Sequence, residues 1–309
     1  MTDIASETQV VGVADPEIPL GDPASRLAKP ASLWSDAWKE LRRKPMFIIS
    51  GFLIILMMTI AAFPQLFASG DPREADLLNS LLRPSSEHWF GYDLQGRDYY
   101  TRTIYGARTS VSIGLIVTIF ASLVAVILGS IAGYYGGWID AVIARITDIW
   151  FAIPLVLAGI VLLNALGSKG FWTVSGVLIA FGWPTMLRLM RSSVLSIRGL
   201  DFVDAARALG ASDFRIITRH ILPNGITPVI VYATITVGVV IAVEATLSFL
   251  NVGLQLPAVS WGLMISEAQR RILSAPHLLF FPGAFLSVTV FSFILMGDAL
   301  RDALDPKLR

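Results

Sequence analysis

Long uncharged stretches alternate with short, densely charged ones along this chain. A helix crosses a bilayer with about 20 mostly apolar residues, because each advances it by about 1.5 Å and the hydrocarbon core is about 30 Å thick. Five stretches qualify readily: 46–67, 109–134, 149–166, 228–250 and 278–296. A sixth, 171–189, holds Gly182, Pro184 and Arg188 but is otherwise apolar. Kinked spans of this kind are tolerated where neighbouring helices satisfy the freed backbone groups. The pattern predicts an all-α membrane protein of six transmembrane helices with both termini on one side. Residues 245–266 also lack charge, but Asn251, Gly253, Gln255, Pro257 and Gly262 make that backbone irregular. They predict the end of the fifth helix and then an apolar loop at the membrane surface, not a seventh span.

Residues 1–31 mix polar residues with Pro16, Pro19, Pro23 and Pro30 and read as a flexible cytoplasmic tail. The first apolar run, starting at Met46, is too late and too long for a secretory signal. Just before it, Leu33, Trp34, Ala37, Trp38 and Leu41 share one helical face beside Lys39, Arg42, Arg43 and Lys44. That mixture suits the headgroup layer. The chain thus divides into the tail, an interfacial helix with the first span (32–67), an extracytoplasmic loop (68–108) and a core of five spans (109–309).

Composition sharpens this picture. Of the 309 residues 54% are hydrophobic and 15% charged, against roughly 25% charged in a soluble domain. With 24 basic and 23 acidic side chains, no bulk charge favours nucleic acid. The absence of cysteine excludes disulfides, thiolate metal sites and a cysteine nucleophile. His88, His220 and His277 fall far apart in the predicted topology and suggest no metal site. There is no Gly-rich phosphate loop, so this chain is not an ATPase, and no Ser, His and carboxylate cluster points to an enzyme.

The position of the charges orients the chain. With the N-terminus inside, 16 of the 24 basic residues are cytoplasmic: Arg26, Lys29, Lys39, Arg42, Arg43, Lys44, Arg145, six arginines from Arg188 to Arg219, Arg301, Lys307 and Arg309. Basic residues gather on the cytoplasmic side, so both termini are expected there.

The longest cytoplasmic connection between spans, 191–223, reads as two short helices joined at a glycine. Phe202, Ala205, Ala206 and Leu209 recur at helical spacing as one apolar face, and Asp204 can pair with Arg207. Gly210 fits the left-handed position that ends a helix. Ser212 can cap the next helix, whose face is Phe214, Ile217 and Ile221, and Pro223 is expected to stop it. A small apolar element therefore projects from the membrane, either to dock a partner or to pack on its own bundle.

The run DAARALGASDFRIITRHILP in this connection is similar to the EAA loop of ABC importer permeases. Asp204, Ala205, Ala206, Gly210, Leu222 and Pro223 match at the right spacing, with Asp204 in place of glutamate and His220 in place of isoleucine. The segments 88–108, 133–154, 244–262 and 297–309 likewise resemble the C-type permease of dipeptide, oligopeptide and nickel importers. That resemblance implies a type I importer permease bundle in a bacterial or archaeal inner membrane. It implies a B-type permease partner, two ABC ATPase subunits docked on the loop through residues including Leu209, and an external substrate-binding protein. ATP and Mg would be used by the ATPases, with no cofactor bound by this chain. Peptides are the expected substrate, with nickel or another small solute as the alternative.

Other charges are open to two readings. Asp93, Arg97, Asp98 and Arg102 in the outer loop suggest an ion-pair network. By resemblance Asp93, Arg97, Asp98, Arg270 and Arg271 lie on the face that meets the binding protein, yet they could equally order the loop itself. Glu244, inside the fifth span, either lines the path or hydrogen-bonds another helix. A secondary transporter would need coupling-ion groups in the membrane, and Glu244 is nearly alone there. Arg145 and Asp148 read as an interfacial pair.

Overall fold

The computed structural model describes residues 38–39 and 41–304, so the tail expected over 1–31, most of the amphipathic stretch and the last five residues lie outside it. Its helices are α1 (Pro45–Ala62), α2 (Tyr99–Tyr135), α3 (Gly137–Ala152), α4 (Leu155–Leu166), α5 (Phe171–Gly182), α6 (Pro184–Ile197), α7 (Asp201–Ala208), α8 (Asp213–Ile216), α9 (Leu222–Gly225), α10 (Thr227–Phe249), α11 (Trp261–Ala268) and α12 (His277–Leu304). Among the described residues no strand forms; an isolated bridge joins Tyr92 and Asp98.

Five helical runs are long and apolar enough to cross a membrane: α1, α2, α5 continued by α6, α10 and α12. The crossing expected at 149–166 is instead two helices, α3 and α4, bent by 85°. Pro154 is the cause: it lacks an N–H and holds the preceding residue out of helical geometry, and Ile153 is extended at φ −96°, ψ 116°. At 12 residues α4 measures about 18 Å, too short to span alone.

Contacts at the two ends show where the bent pair leads. Helix α2 starts beside the 70–98 loop, capped by Asp98 on the Thr101 amide (2.8 Å), and ends where the Tyr134 hydroxyl meets Asp213 (2.7 Å). Just past α4, Lys169 donates to the Asn251 carbonyl (3.0 Å), and Asn251 shares a cleft with Asp93 and Arg97. The α3–α4 pair therefore runs from the end that carries 201–225 to the end that carries 70–98, making the sixth crossing. Leu41 packs on Ala299 and Ala303, so both ends of the described chain meet.

Two further boundaries differ from the pattern. The second span begins at Tyr99 rather than 109, because its first turns are covered by protein: Tyr99 and Arg102 are buried. After α10 the chain forms an irregular segment and then α11, which plunges into the bundle instead of lying as an apolar surface loop. Ser260 caps α11 at the Leu263 amide (3.2 Å), and the wholly buried Trp261 donates its indole N–H to the Thr103 carbonyl (2.9 Å). Gly262 permits the approach, since a Cβ there would lie 2.4 Å from the Ala245 Cα.

The α5–α6 run breaks at Trp183, because Pro184 cannot donate to the Ala180 carbonyl one turn back. Two indoles take over that carbonyl, Trp150 Nε1 at 2.6 Å and Trp183 Nε1 at 2.9 Å. Below the break α6 packs on α2 through Gly129 and Gly133, where added Cβ atoms would meet the Cβ of Met190 at 2.8 Å and of Val194 at 2.7 Å. Small residues four apart let helix backbones approach in this way.

The end that carries 70–98 is held by a buried ion cluster. Asp93 accepts from Arg97 Nε (2.6 Å) and from Arg102, while Glu267 of α11 accepts from Arg102 (2.9 Å) and Arg97 (3.5 Å). Asp98, expected in this network, instead caps α2 and faces His88 at 3.5 Å. Burial alone would raise the Asp93 carboxyl, but Arg102 together with the amide and guanidinium of Arg97 outweighs it and holds the group below its ordinary 3.8. A depressed carboxyl contributes stability above its ordinary value, and that contribution is lost as pH falls through the lowered one.

Two outcomes follow. Gly133→Ala should lower stability by about 1–3 kcal/mol by overpacking, seen as a fall in melting temperature in detergent. Gly176→Ala, with open space around the added Cβ, should not. Asp93→Asn, which leaves Arg102 buried without that partner, should lose about 3 kcal/mol at pH 7. The melting-temperature gap to the unsubstituted protein should narrow as the pH is taken below 3.8; a constant gap would count against the charge as its source.

Candidate functional site

Between α6 and α10 the chain builds a short helical platform. Helix α7 carries Asp201 and Asp204 in its first turn, and Asp204 pairs with Arg207 at 2.8 Å. Gly210 adopts the left-handed backbone expected of it, φ +78°, with open space where a side chain would go. Ser212 then caps α8, its hydroxyl 3.4 Å from the Arg215 amide.

The platform is anchored on one side and open on the other. Val203, Ala206, Ile216 and Ile221 are buried in the cluster that also holds Met190 and Val194 of α6. Arg198 donates to the Gly133 carbonyl at 2.9 Å, tying the platform's root to the end of α2. Arg191 of α6 forks onto both carboxylate oxygens of Asp140. The apolar face expected of Phe202, Ala205, Ala206 and Leu209 is therefore split: Ala206 joins Val203 inside, and the other three face outward. The face expected of Phe214, Ile217 and Ile221 is split as well, with Ile221 inside and Phe214 outside. Leu209 is 89% exposed and Phe214 77%, and with Phe202 they form an uncovered ridge around Gly210.

Pro223 does not stop this segment, contrary to expectation: the helical path continues through Leu222 and Pro223 to Gly225. A wide π turn over Ile217–Ile221 precedes it. The wider hydrogen-bond ring moves the carbonyl that the proline ring would otherwise strike, so the helix passes the proline intact.

At the opposite end, Arg270 and Arg271 are exposed just past α11. Arg270 lines a cleft of about 280 Å³ with Gln95, Arg97, Asn251 and Glu267. Asp93 and Arg97 are buried in the ion cluster, and Asp98 is occupied as a helix cap. Of the five charges expected to face outward as a group, the structure brings Asp93, Arg97 and Arg270 to one cleft, with Asp93 and Arg97 also paired in the ion cluster, and Asp98 caps α2.

Glu244 lies wholly within this chain. Its carboxylate accepts hydrogen bonds from the hydroxyls of Ser248 (2.8 Å), Ser260 (3.2 Å) and Ser110 (3.4 Å). It is fully buried in this chain, and its hydrogen bonds run to serines of α2, of α10 and at the start of α11. Asp148 pairs more closely with Arg188 (2.8 Å) than with Arg145 (3.8 Å), and Arg188 lies over the Phe151 ring. Among the described residues no group of three or more metal-ligating side chains forms.

Periodicity could not have found Glu267, Ser110 or Ser260, whereas Ser248 stands one helical turn from Glu244. Glu267 meets Arg102 from 165 positions away, and Ser110 meets Glu244 from 134. The pairing of Gly129 with Gly133 was open to reading as a small-residue repeat within an apolar run.

Comparison with known proteins agrees with this architecture. Residues 125–309 match the family described as binding-protein-dependent transport system inner membrane component, and residues 32–84 match the N-terminal TM domain of oligopeptide transport permease C. The dipeptide transport system permease protein DppC of Alkalihalophilus pseudofirmus is 42% identical over 281 residues, covering 90% of this chain and 91% of its own. The oligopeptide transport system permease protein OppC of Bacillus subtilis is 39% identical, covering 94% of each chain. The glutathione transport system permease protein GsiD of Pectobacterium atrosepticum is 37% identical, covering 89% and 92%. The inward-facing MetNI methionine ABC transporter shares the fold, with a TM-score of 0.55, 18% identity, and coverage of 66% of this chain and 96% of that one. The chain belongs to the binding-protein-dependent transport system inner membrane components, the integral membrane permease subunits of ABC importers, and within them to the C-type permeases of the dipeptide and oligopeptide group.

Proposed function

We propose that this chain is one of two permeases in an ATP-driven importer of di- or oligopeptides in the cell's inner membrane, with both termini cytoplasmic. The observation that carries this is the ridge of Phe202, Leu209 and Phe214 around Gly210. It is apolar, uncovered and rooted in the bundle by Val203, Ala206 and Ile216, as a surface that transmits force must be. ATPase subunits, which use ATP and Mg, dock on Asp204, Ala205, Ala206, Leu209, Gly210, Leu222 and Pro223. Ala206 and Leu222 act there from the packed side and the others from the open one. The excess of basic residues near the platform supports a cytoplasmic position for it.

A B-type permease completes the bundle, and the path runs between the two subunits. A substrate-binding protein delivers peptide at the other end, where Arg270 and Arg271 are free to meet it and the Asp93, Arg97 and Asp98 region gives the loop its shape. Closure of the ATPases displaces the platform together with α6 and α10, which flank it, and so exchanges outward-open and inward-open states. Relatives named for dipeptides, oligopeptides and glutathione support a peptide substrate, since glutathione is itself a short peptide.

Purification in mild detergent should retain two ATPase chains and a second permease. Gly210→Glu puts a bulky charged side chain on a backbone that L residues adopt only with strain of roughly 1–2 kcal/mol, in the middle of the apolar ridge. The variant should insert at normal levels but lose bound ATPase and at least about tenfold of peptide uptake in proteoliposomes. Normal uptake would count against the docking role.

A further inference from the structure

The hydrogen bonds around Glu244 have a fixed polarity. The Ser248 hydroxyl accepts the amide N–H of Leu254 (3.1 Å), that of Ser260 accepts from Leu263 (3.2 Å), and that of Ser110 accepts from Trp261 (3.2 Å). Each hydroxyl meets its amide with one lone pair and donates its proton to the Glu244 carboxylate. Three relays from three backbone amides thus converge on one acceptor group. A carboxylate accepts at both of its ends. A carboxamide does not, because one of its two ends is a donor.

The relays also join separate pieces of the fold. Ser110 stands on α2, Ser248 on α10 and Ser260 at the start of α11, while the amides they hold belong to the 254–263 segment. Helix α10 begins at Thr227, two residues after the docking platform ends at Gly225. Six residues beyond Trp261, α11 presents Glu267 to Arg102 and Arg97 in the outer ion cluster. A continuous chain of helix, buried hydrogen bonds and ion pairs therefore runs from the platform to the outer loop, and at its middle Glu244 takes hydrogen bonds from α2, from α10 and from the residue that starts α11.

We infer that Glu244 is a positioning residue for coupling: its carboxylate clamps the 254–263 segment to α2 and α10, so that displacement of the platform along α10 reaches the outer loop, and docking at the outer loop reaches the platform. The inference rests on the importer reading above. Glu244 touches no substrate in this role. It sets whether the two ends of the chain move as one body.

The test uses the complete transporter in proteoliposomes, with ATPase activity measured with and without peptide-loaded binding protein. Glu244→Gln should keep its unstimulated ATPase rate while stimulation by the binding protein, and peptide uptake, fall about tenfold. Ser260→Ala removes one oxygen and one relay, and should reduce stimulation about threefold. If Glu244→Gln does not assemble, Ser260→Ala decides alone, and unchanged stimulation in it overturns the inference. The chain has no cysteine, so a spin label at Leu273→Cys, just beyond α11, reports the outer end directly. Its spectrum should respond to ATP in the otherwise unsubstituted protein and lose that response with Glu244→Gln. A simple loss of packing would mobilise the label whether or not ATP is present, and a preserved ATP response overturns the inference. Absence of stimulation in the unsubstituted complex overturns the importer reading itself, which separates the two failures.

Discussion

A backbone carbonyl or amide cannot be left facing hydrocarbon without a partner, and this requirement shapes the protein at each place where its helices are irregular. The Ala180 carbonyl, released by Pro184, is met by two indole N–H groups. The 254–263 amides, at the irregular end of α10, are met by serine hydroxyls backed by Glu244. Pro223 is absorbed by a wide turn that keeps the helical ladder going. The first two solutions draw on side chains from other helices, Trp150 of α3 and Ser110 of α2, so the repairs that make a broken helix tolerable also fasten the helices together.

Helix α2 is the common partner in this arrangement. Its 37 residues reach about 55 Å, longer than the bilayer core is thick, and its first turns, from Tyr99, are covered by protein. There it supplies Arg102 to the ion cluster; in the middle it supplies Ser110 to the Glu244 network; near its other end Gly129 and Gly133 receive α6, and Tyr134 meets the docking platform. The two functional ends of the permease are thus arranged along a single rigid element, with α10 and α11 as the parallel route. Buried charges are affordable at its outer end because they sit in protein and are paired, not in lipid.

Much of this was legible from residue order, and the exceptions share a cause. Runs 228–250 and 278–296 coincide with α10 and most of α12 because for those helices length in apolar residues and length in lipid are the same quantity. That equivalence fails for α2, whose first turns are covered by protein, and for 149–166, where a single proline turns one apolar run into two helices. In the platform the left-handed glycine, the serine cap and the Asp204–Arg207 pair were readable, since each depends on neighbours within four residues. Which apolar residues face inward was not: Phe202 and Ala206 share a helical face by spacing, and only the position of α6 decides that one is covered and the other bare. Glu267, Ser110 and Ser260 are tertiary partners across more than a hundred residues or across an irregular segment, beyond the reach of any local pattern, whereas Ser248 lies one helical turn from Glu244.

The ridge at Phe202, Leu209 and Phe214 has a consequence for how the protein is made. On the proposed docking role, a subunit released into the membrane ahead of its ATPase would display these large apolar side chains to water. Such a patch is adhesive, and it is the kind of surface that chaperones hold and quality-control proteases recognise. The lifetime of the permease would then follow the supply of its partner, so that matched synthesis of the subunits would be a condition of abundance and not only of transport.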